Sequence, residues 1–298
     1  MSSRPSEPSP RSETHTRKVS LADLGRMKQQ GHKIAAVTAY DAPSGRLADL
    51  AGIDCVLVGD SAAMTMFGRE STMSATMDEM LMLTRAVVRG VRRALVIADM
   101  PFGTYQVSDV SAVEQAIRFV RDAGADAVKL EGAGTSTNRV AAIVAAGIPV
   151  VGHLGLTPQS ATLLGGYKAQ GRSAEQARRL CDDAIALERA GCFAIVLEAI
   201  PAAVASHISD TVGVPTIGIG AGASCDGQIL VWHDLLGLSQ GHVAKFVRRY
   251  ADLGDEILGA LKNYASDVRT AQFPEERHTY SMAQLELDLF EAFNDRSA

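Results

Sequence analysis

Two charged residues, Lys129 and Glu131, stand two positions apart in the apolar stretch Ala127-Val-Lys-Leu-Glu-Gly132. Val128 and Leu130 favour extended chain, and glycine-containing turn material flanks the stretch on both sides, so it reads as a short strand. Alternation then puts Lys129 and Glu131 on one face and Val128 and Leu130 on the other. A cation and a carboxylate on an apolar strand are costly in a plain core. Either they form a buried ion pair that satisfies only itself, or they belong to a site. The second reading gains weight because other short apolar segments also close on polar residues: Asp60, Asp99, His153 and Glu198.

Asp60, Asp99 and Glu131, brought to one place, would repel one another and raise each other's pKa. A hard divalent cation removes that repulsion, and carboxylates suit Mg²⁺. Mg²⁺ would accept a 2-oxo acid through its keto oxygen and carboxylate and would stabilise an enolate. Lys129 adds a second positive contact. His153 ends its segment in a glycine-flanked turn that suits close approach to a ligand. Glu198 follows three apolar residues, which suggests a desolvated base. The alternatives are solvated loop acids, helix caps and a structural histidine. Lys129 could instead form a Schiff base, and a metal-dependent carbon–carbon lyase or a non-catalytic oxo-acid sensor would use similar residues.

The elements that must position these residues repeat. A helix end, Ala-Gly, then a short apolar strand closing on polar residues occurs at Ala51–Ser61, Ala123–Glu131, Ala146–His153 and Ala190–Glu198. Further strands are expected at Ile34–Tyr40, Ala94–Asp99, Pro215–Gly220 and Gln228–Trp232. Segments such as Val110–Ala123 and Ala174–Ala190 are long enough for helices, and Ser20 caps a helix over Val19–Gln30. Near-continuous apolar strands alternating with helices mean a parallel sheet covered on both faces. Eight such units predict a (βα)₈ TIM barrel with its chemistry at the carboxyl ends of the strands.

Composition sets the bounds. The 298 residues are 47% hydrophobic with a net charge of −5, enough for one large core and ill suited to nucleic acid or an anionic membrane. No apolar run approaches the roughly 20 residues of a membrane-spanning helix. The four cysteines lack CxxC spacing, so neither a disulfide framework nor a zinc site is indicated, which fits the cytoplasm. The expected organisation is a disordered tail over 1–17, a barrel over 18–264, and a partly helical extension over 265–298. In that extension Met282, Leu285, Leu289, Phe290 and Phe293 have helical spacing and could pack on the barrel, on a neighbouring subunit, or on nothing. Gly218-Ile-Gly-Ala-Gly222 is read as a tight turn rather than a nucleotide loop. Leu164–Arg172 is a loop with an aromatic and two cations that could grip an anionic co-substrate.

The motifs together resemble one family. Val58-Gly-Asp-Ser61, Ala98-Asp-Met-Pro-Phe102, Val128-Lys-Leu-Glu-Gly132, Gly152-His-Leu-Gly-Leu-Thr-Pro-Gln159, Gly165-Gly-Tyr-Lys168, Leu197-Glu198 with Pro201, and Gly218-Ile-Gly-Ala-Gly222 with Asp226-Gly-Gln228 are similar, in order, to those of the ketopantoate hydroxymethyltransferases, over about Val19 to His278. The resemblance implies a barrel of the phosphoenolpyruvate mutase/isocitrate lyase type. It implies that Asp60 and Asp99 bind Mg²⁺ and, with Ser61 and Lys129, hold 3-methyl-2-oxobutanoate. Glu131 matches the third metal-site acid, Glu198 the proton acceptor, and His153 a pocket histidine. The implied reaction takes a one-carbon unit from 5,10-methylenetetrahydrofolate to give 2-dehydropantoate, the committed step toward pantothenate and coenzyme A. Family members assemble into rings, often decamers. Ala133 and Ala244 depart from the family pattern, and neither is an expected ligand.

Overall fold

The computed structural model describes residues 17–239 and 243–294; apart from Arg17, the tail expected over 1–17 lies outside the described residues. Eight parallel strands close in sequence order into a barrel. They are β1 (Ile34–Thr38), β2 (Cys55–Val58), β3 (Leu95–Asp99), β4 (Ala127–Glu131), β5 (Val150–Gly155), β6 (Ala194–Glu198), β7 (Thr216–Ile219) and β8 (Gly227–Leu230), with β8 paired back onto β1. Helices α1 (Leu21–Gln29) and α2 (Ala42–Leu50) flank β1, and α3 (Ala62–Thr65) and α4 (Met77–Gly90) follow β2. Then come α5 (Asp109–Ile117), α6 (Thr135–Ala145), α7 (Ala174–Arg189), α8 (Ala202–Thr211), α9 (Trp232–Leu235), α10 (Leu253–Arg269) and α11 (Gln284–Asn294).

Strand alternation sorts the side chains into two clusters. Outward residues such as Val56, Val96, Val128, Leu130, Ile195 and Leu197 pack in one core with Met80, Leu83 and Val87 of α4, Leu187 of α7 and Ile208 of α8. Inward residues Cys55, Leu57, Leu95, Ile97, Ala127, Val151, Ala194 and Val196 fill the barrel, and Leu24 of α1 belongs to the same cluster. The helix expected over Val19–Gln30 therefore contributes to the interior, with Ser20 capping it as expected. Read toward the carboxyl rim, the inward positions change character: Leu95, Ile97, then Asp99; Ala127, then Lys129 and Glu131; Val151, then His153; Ala194, Val196, then Glu198. The lower barrel is apolar and the upper barrel is charged.

Three departures from the expected elements have physical causes or clear geometry. The last strand ends at Leu230, not Trp232: the Trp232 N–H donates to the Thr38 side chain of β1 (Oγ1, 2.9 Å) instead of to a backbone carbonyl, and Trp232 opens α9. The segment expected as one helix over Val110–Ala123 is α5 followed by a π-helical stretch over Arg118–Asp122. Helix α10 runs across the 264/265 boundary expected for the C-terminal extension. The spacing read after Met282 does correspond to a helix, α11, whose Leu285, Leu289 and Phe290 stay exposed. No helix among the described residues is long and apolar enough to cross a membrane.

Helix α4 shows how local sequence fixes an element. Thr76 Oγ1 accepts from the Glu79 N–H (3.3 Å), and the Glu79 carboxylate accepts from the Thr76 N–H (2.9 Å) and from both terminal nitrogens of Arg69. The Arg69 and Thr76 hydrogen bonds hold the Glu79 carboxyl down at about 2. A carboxyl lowered on folding stabilises fully above its unfolded pKa, about 4.3, and loses that contribution as pH falls toward 2. Because Glu79 is solvent-screened, the contribution is about 1 kcal/mol, the size of one capping interaction. Urea unfolding followed between pH 5 and 2, as a test range chosen around those two pKa values, should show a shallower acid loss in Glu79→Gln than in the unmodified chain.

Candidate active site

Strand register brings the expected residues together. Asp99 lies beside Lys129, Glu131 beside His153, and Gly155 beside Glu198. Asp60 stands two residues beyond β2, and its N–H donates to Asp99 Oδ2 at 3.2 Å. Lys129 Nζ lies 2.7 Å from Asp99 Oδ1, 3.3 Å from His153 Nδ1 and 3.9 Å from Glu131 Oε1. His153 stands between two acids, with Nδ1 3.5 Å from Glu131 Oε1 and Nε2 3.2 Å from Glu198 Oε2. Five strands thus deliver one chain of contacts from Asp60 to Glu198. Ser61 joins from the side: its Oγ is 2.8 Å from the Tyr40 hydroxyl, which accepts from Thr38 Oγ1 (2.9 Å).

Burial makes this cluster electrostatically demanding. Asp60, Asp99, Lys129, Glu131 and His153 are all buried, whereas the Glu198 side chain keeps 16% of its surface exposed. The desolvated setting expected for Glu198 belongs instead to its neighbours. Burial, then Asp99 and Glu131, push the Asp60 carboxyl well above its usual value. Burial also raises Asp99, against the pull of Lys129. In Glu131 burial acts the same way, but His153, Lys129 and the Gln159 N–H outweigh it and the carboxyl is lowered. Burial and Lys129 oppose a charge on His153, while Glu131 and Glu198 favour it and bring the imidazole to about 9. Burial likewise opposes the Lys129 charge, yet Asp99, Glu131 and Asp60 hold the ammonium above its ordinary range. A lysine held protonated this firmly is a poor Schiff-base nucleophile.

The three expected metal ligands share one wall without forming a ready cage. Among the described residues, no group of three or more His, Cys, Asp or Glu side chains is set to hold a metal ion. Lys129 Nζ reaches both Asp99 and Glu131, and Gln159 bonds to both Asp60 and Glu131. The donor chemistry nevertheless fits a hard cation. Asp99 Oδ1 and Glu131 Oε1 are buried with only the Lys129 ammonium and the His153 ring near them, and Asp60 ionises against two neighbouring acids. Oxygen-only donors burdened by mutual repulsion suit Mg²⁺.

Two residues given no role by the sequence reading also belong here. Gln159, on a short 3₁₀ turn after β5, and Tyr105, after β3, are buried and bond to the acids and to each other. Gln159 closes the motif Gly152–Gln159, and an amide side chain directly after Thr-Pro was the available signal. The loop over Leu164–Arg172 brings Tyr167 toward the mouth, its hydroxyl 4.0 Å from Met64 Sδ on α3. Burial, then Asp60, Glu131 and Glu198, raise the Tyr167 phenol. Gly218 and Ile219 end β7, and the turn read over Gly218–Gly222 begins only at Gly220, where the Phe246 ring packs so closely that a Cβ would meet it at 2.5 Å.

Residues 18–276 match the family model described as ketopantoate hydroxymethyltransferase. A 3-methyl-2-oxobutanoate hydroxymethyltransferase of Carboxydothermus hydrogenoformans is 52% identical over 266 residues, covering 89% of this chain and 96% of the relative. One of Nitratidesulfovibrio vulgaris is 50% identical over 292 residues, covering 98% and 95%. Among solved structures, phosphonopyruvate hydrolase superposes with a TM-score of 0.58 at 16% identity, covering 95% of this chain and 98% of that one. The phosphoenolpyruvate mutase/isocitrate lyase superfamily member 2,3-dimethylmalate lyase superposes with a TM-score of 0.56 at 17% identity, covering 93% and 98%. These distant structures establish the kind of barrel, as expected from the motifs. Sharing half of its aligned residues with relatives that cover 89% and 98% of it, the chain belongs to the ketopantoate hydroxymethyltransferase family and is a transferase.

Proposed function

We propose that the chain transfers a hydroxymethyl group from 5,10-methylenetetrahydrofolate to 3-methyl-2-oxobutanoate, giving 2-dehydropantoate and tetrahydrofolate, the committed step toward pantothenate and coenzyme A. The observation that carries this reading is the unbroken line of contacts from Asp60 and Asp99 through Lys129 and His153 to Glu198, in a chain whose relatives bear that reaction's name. Asp60 and Asp99 would hold Mg²⁺, with Glu131 completing the set. When bound, the ion draws charge onto the keto oxygen of an oxo acid and acidifies the neighbouring C–H bond.

The chain's own groups supply the rest. Lys129, kept cationic, faces the substrate carboxylate or the charge that develops on its keto oxygen. Ser61, tied to Tyr40, adds a hydroxyl at the same wall. Glu198, the most open of the rim acids, takes the proton from the branched carbon, and that carbon's electron pair forms the new bond to the donor's methylene carbon; the two C–N bonds to that carbon break to leave tetrahydrofolate, and water supplies the hydroxyl oxygen. Tyr167 and its loop would grip the anionic co-substrate from the mouth. The protein would work in the cytoplasm as a homo-oligomer, a ring of ten subunits in the family pattern.

A turnover assay with 3-methyl-2-oxobutanoate and methylenetetrahydrofolate, run with and without EDTA, tests the reading. Product should require both substrates and should vanish with the chelator. Turnover without folate would point to a lyase, and undiminished turnover in EDTA would remove the cation from the reaction. Asp60→Ala should weaken Mg²⁺ binding by more than about 100-fold, beyond the 10–100-fold typical when a partner of a ligand is removed. Calorimetric titration with Mg²⁺ gives that number directly, and an unchanged isotherm would refute Asp60 as a ligand.

A further inference from the structure

Gln159 is 2% exposed and every polar atom of its side chain is engaged. Nε2 donates to Asp60 Oδ2 (2.9 Å) and to the Met100 carbonyl (3.0 Å), while Oε1 accepts from the Tyr105 hydroxyl (2.6 Å). The Gln159 backbone N–H donates to Glu131 Oε2 (3.0 Å). The Tyr105 hydroxyl, also 2% exposed as a residue, accepts in turn from the Glu131 N–H (3.2 Å). A phenol and an amide from two loops therefore grip the acids delivered by β2 and β4, and through Met100 the chain that follows β3.

We propose that Tyr105 and Gln159 are positioning residues, a hydrogen-bonded bracket that aims the Asp60 and Glu131 carboxylates at one shared cation. This rests on the Mg²⁺ reading above and extends it to residues that do not touch the ion. The bracket uses one oxygen of each acid and leaves the other outside it: Asp60 gives Oδ2, and Glu131 gives Oε2 while its Oε1 faces His153 Nδ1 at 3.5 Å and Lys129 Nζ at 3.9 Å. The chemistry of the donors is also specific. Arginine or lysine in the place of Gln159 would orient Asp60 but cancel its charge. A neutral amide and a backbone N–H fix direction and leave the negative charge for the cation. Lys129 already serves Asp99 as a charged partner, so a second cation would empty the wall of its attraction for Mg²⁺. A bracket that served folding alone would have no reason to meet the same two acids through one oxygen each.

The test compares Mg²⁺ alone binding to the full chain, to Gln159→Met and to Tyr105→Phe by calorimetry, with circular dichroism and a thermal melt on each. Methionine keeps the length of Gln159 without its amide, and phenylalanine removes only the hydroxyl. Both variants should fold and bind Mg²⁺ about 10–100-fold more weakly, the range seen when a ligand's partner is lost. A fold-only role would lower the melting temperature and leave the affinity of the folded protein alone. The proposal fails if either folded variant binds Mg²⁺ as the unmodified chain does. It fails too if neither variant folds, since the bracket then serves stability. If Gln159→Met alone fails to fold, Tyr105→Phe decides. Absence of Mg²⁺ binding in the unmodified chain would overturn the cation reading itself, an outcome distinct from unchanged variants.

Discussion

Glu198→Gln should lower turnover by about 10²–10⁴-fold, the range that a positioned general base contributes. The substitution is nearly isosteric, and the amide oxygen still offers His153 Nε2 an acceptor near the present 3.2 Å contact. Glu198 also lies at the far end of the cluster from Asp60 and Asp99, so Mg²⁺ binding and the melting temperature should change little. The loss is therefore assigned to the proton transfer only if one further measurement agrees. In D₂O, with 3-methyl-2-oxobutanoate and Mg²⁺ but no folate, the unmodified chain should exchange the hydrogen of the branched carbon, and Glu198→Gln should slow that exchange as much as it slows turnover. Exchange at the normal rate in the variant would show that another group takes the proton, His153 being the nearest ring nitrogen.

How legible these residues were depends on how local their determinants are. Asp99, Lys129, Glu131, His153 and Glu198 could be read because a strand's period of two and the rim of a parallel barrel are both written in consecutive residues. Their register could not be read, and it is register that sets Asp99 against Lys129 and Glu131 against His153. The environment of Glu198 was misjudged for a related reason. Of the three apolar residues before it, Ile195 and Leu197 face the helices and only Val196 shares its side of the sheet. An apolar run along a strand thus says little about the surroundings of the side chain that follows. Gln159 and Tyr105 lie in loops with no period, more than 50 residues apart, and their pairing exists only once β3 and β5 have closed into the barrel. The end of β8 was lost to a single side chain, Thr38 on the neighbouring strand β1, which takes the Trp232 N–H from 194 residues away in sequence.

Gly155→Ala should be the most damaging change that removes no functional group. Gly155 closes β5 at φ +96°, beyond the range an L side chain accepts cheaply, and a Cβ there would meet the Glu198 carbonyl oxygen at 2.2 Å and Ile200 Cγ2 at 2.6 Å. The Glu198 oxygen cannot simply withdraw, because it accepts from the Leu156 N–H at 2.8 Å. Nor can the next residue absorb the shift. Ala199 is already in the left-handed region at φ +48°, pinned by hydrogen bonds from its N–H to the Ile219 carbonyl and from the Gln170 N–H to its own carbonyl. Backbone strain and overpacking together should cost on the order of 3–5 kcal/mol, measured by urea unfolding. In protein that remains folded, the added methyl pushes the end of β6 outward, and a misplacement of about 1 Å at the base should cost about 10²-fold in turnover. Ala199→Gly is the contrast. It relieves the left-handed backbone without adding an atom, the relief is offset by glycine's greater freedom when unfolded, and stability should stay within about 1 kcal/mol. If Gly155→Ala kept full stability and turnover, the close passage of β5 over the Glu198 carbonyl would not be what holds the base in place.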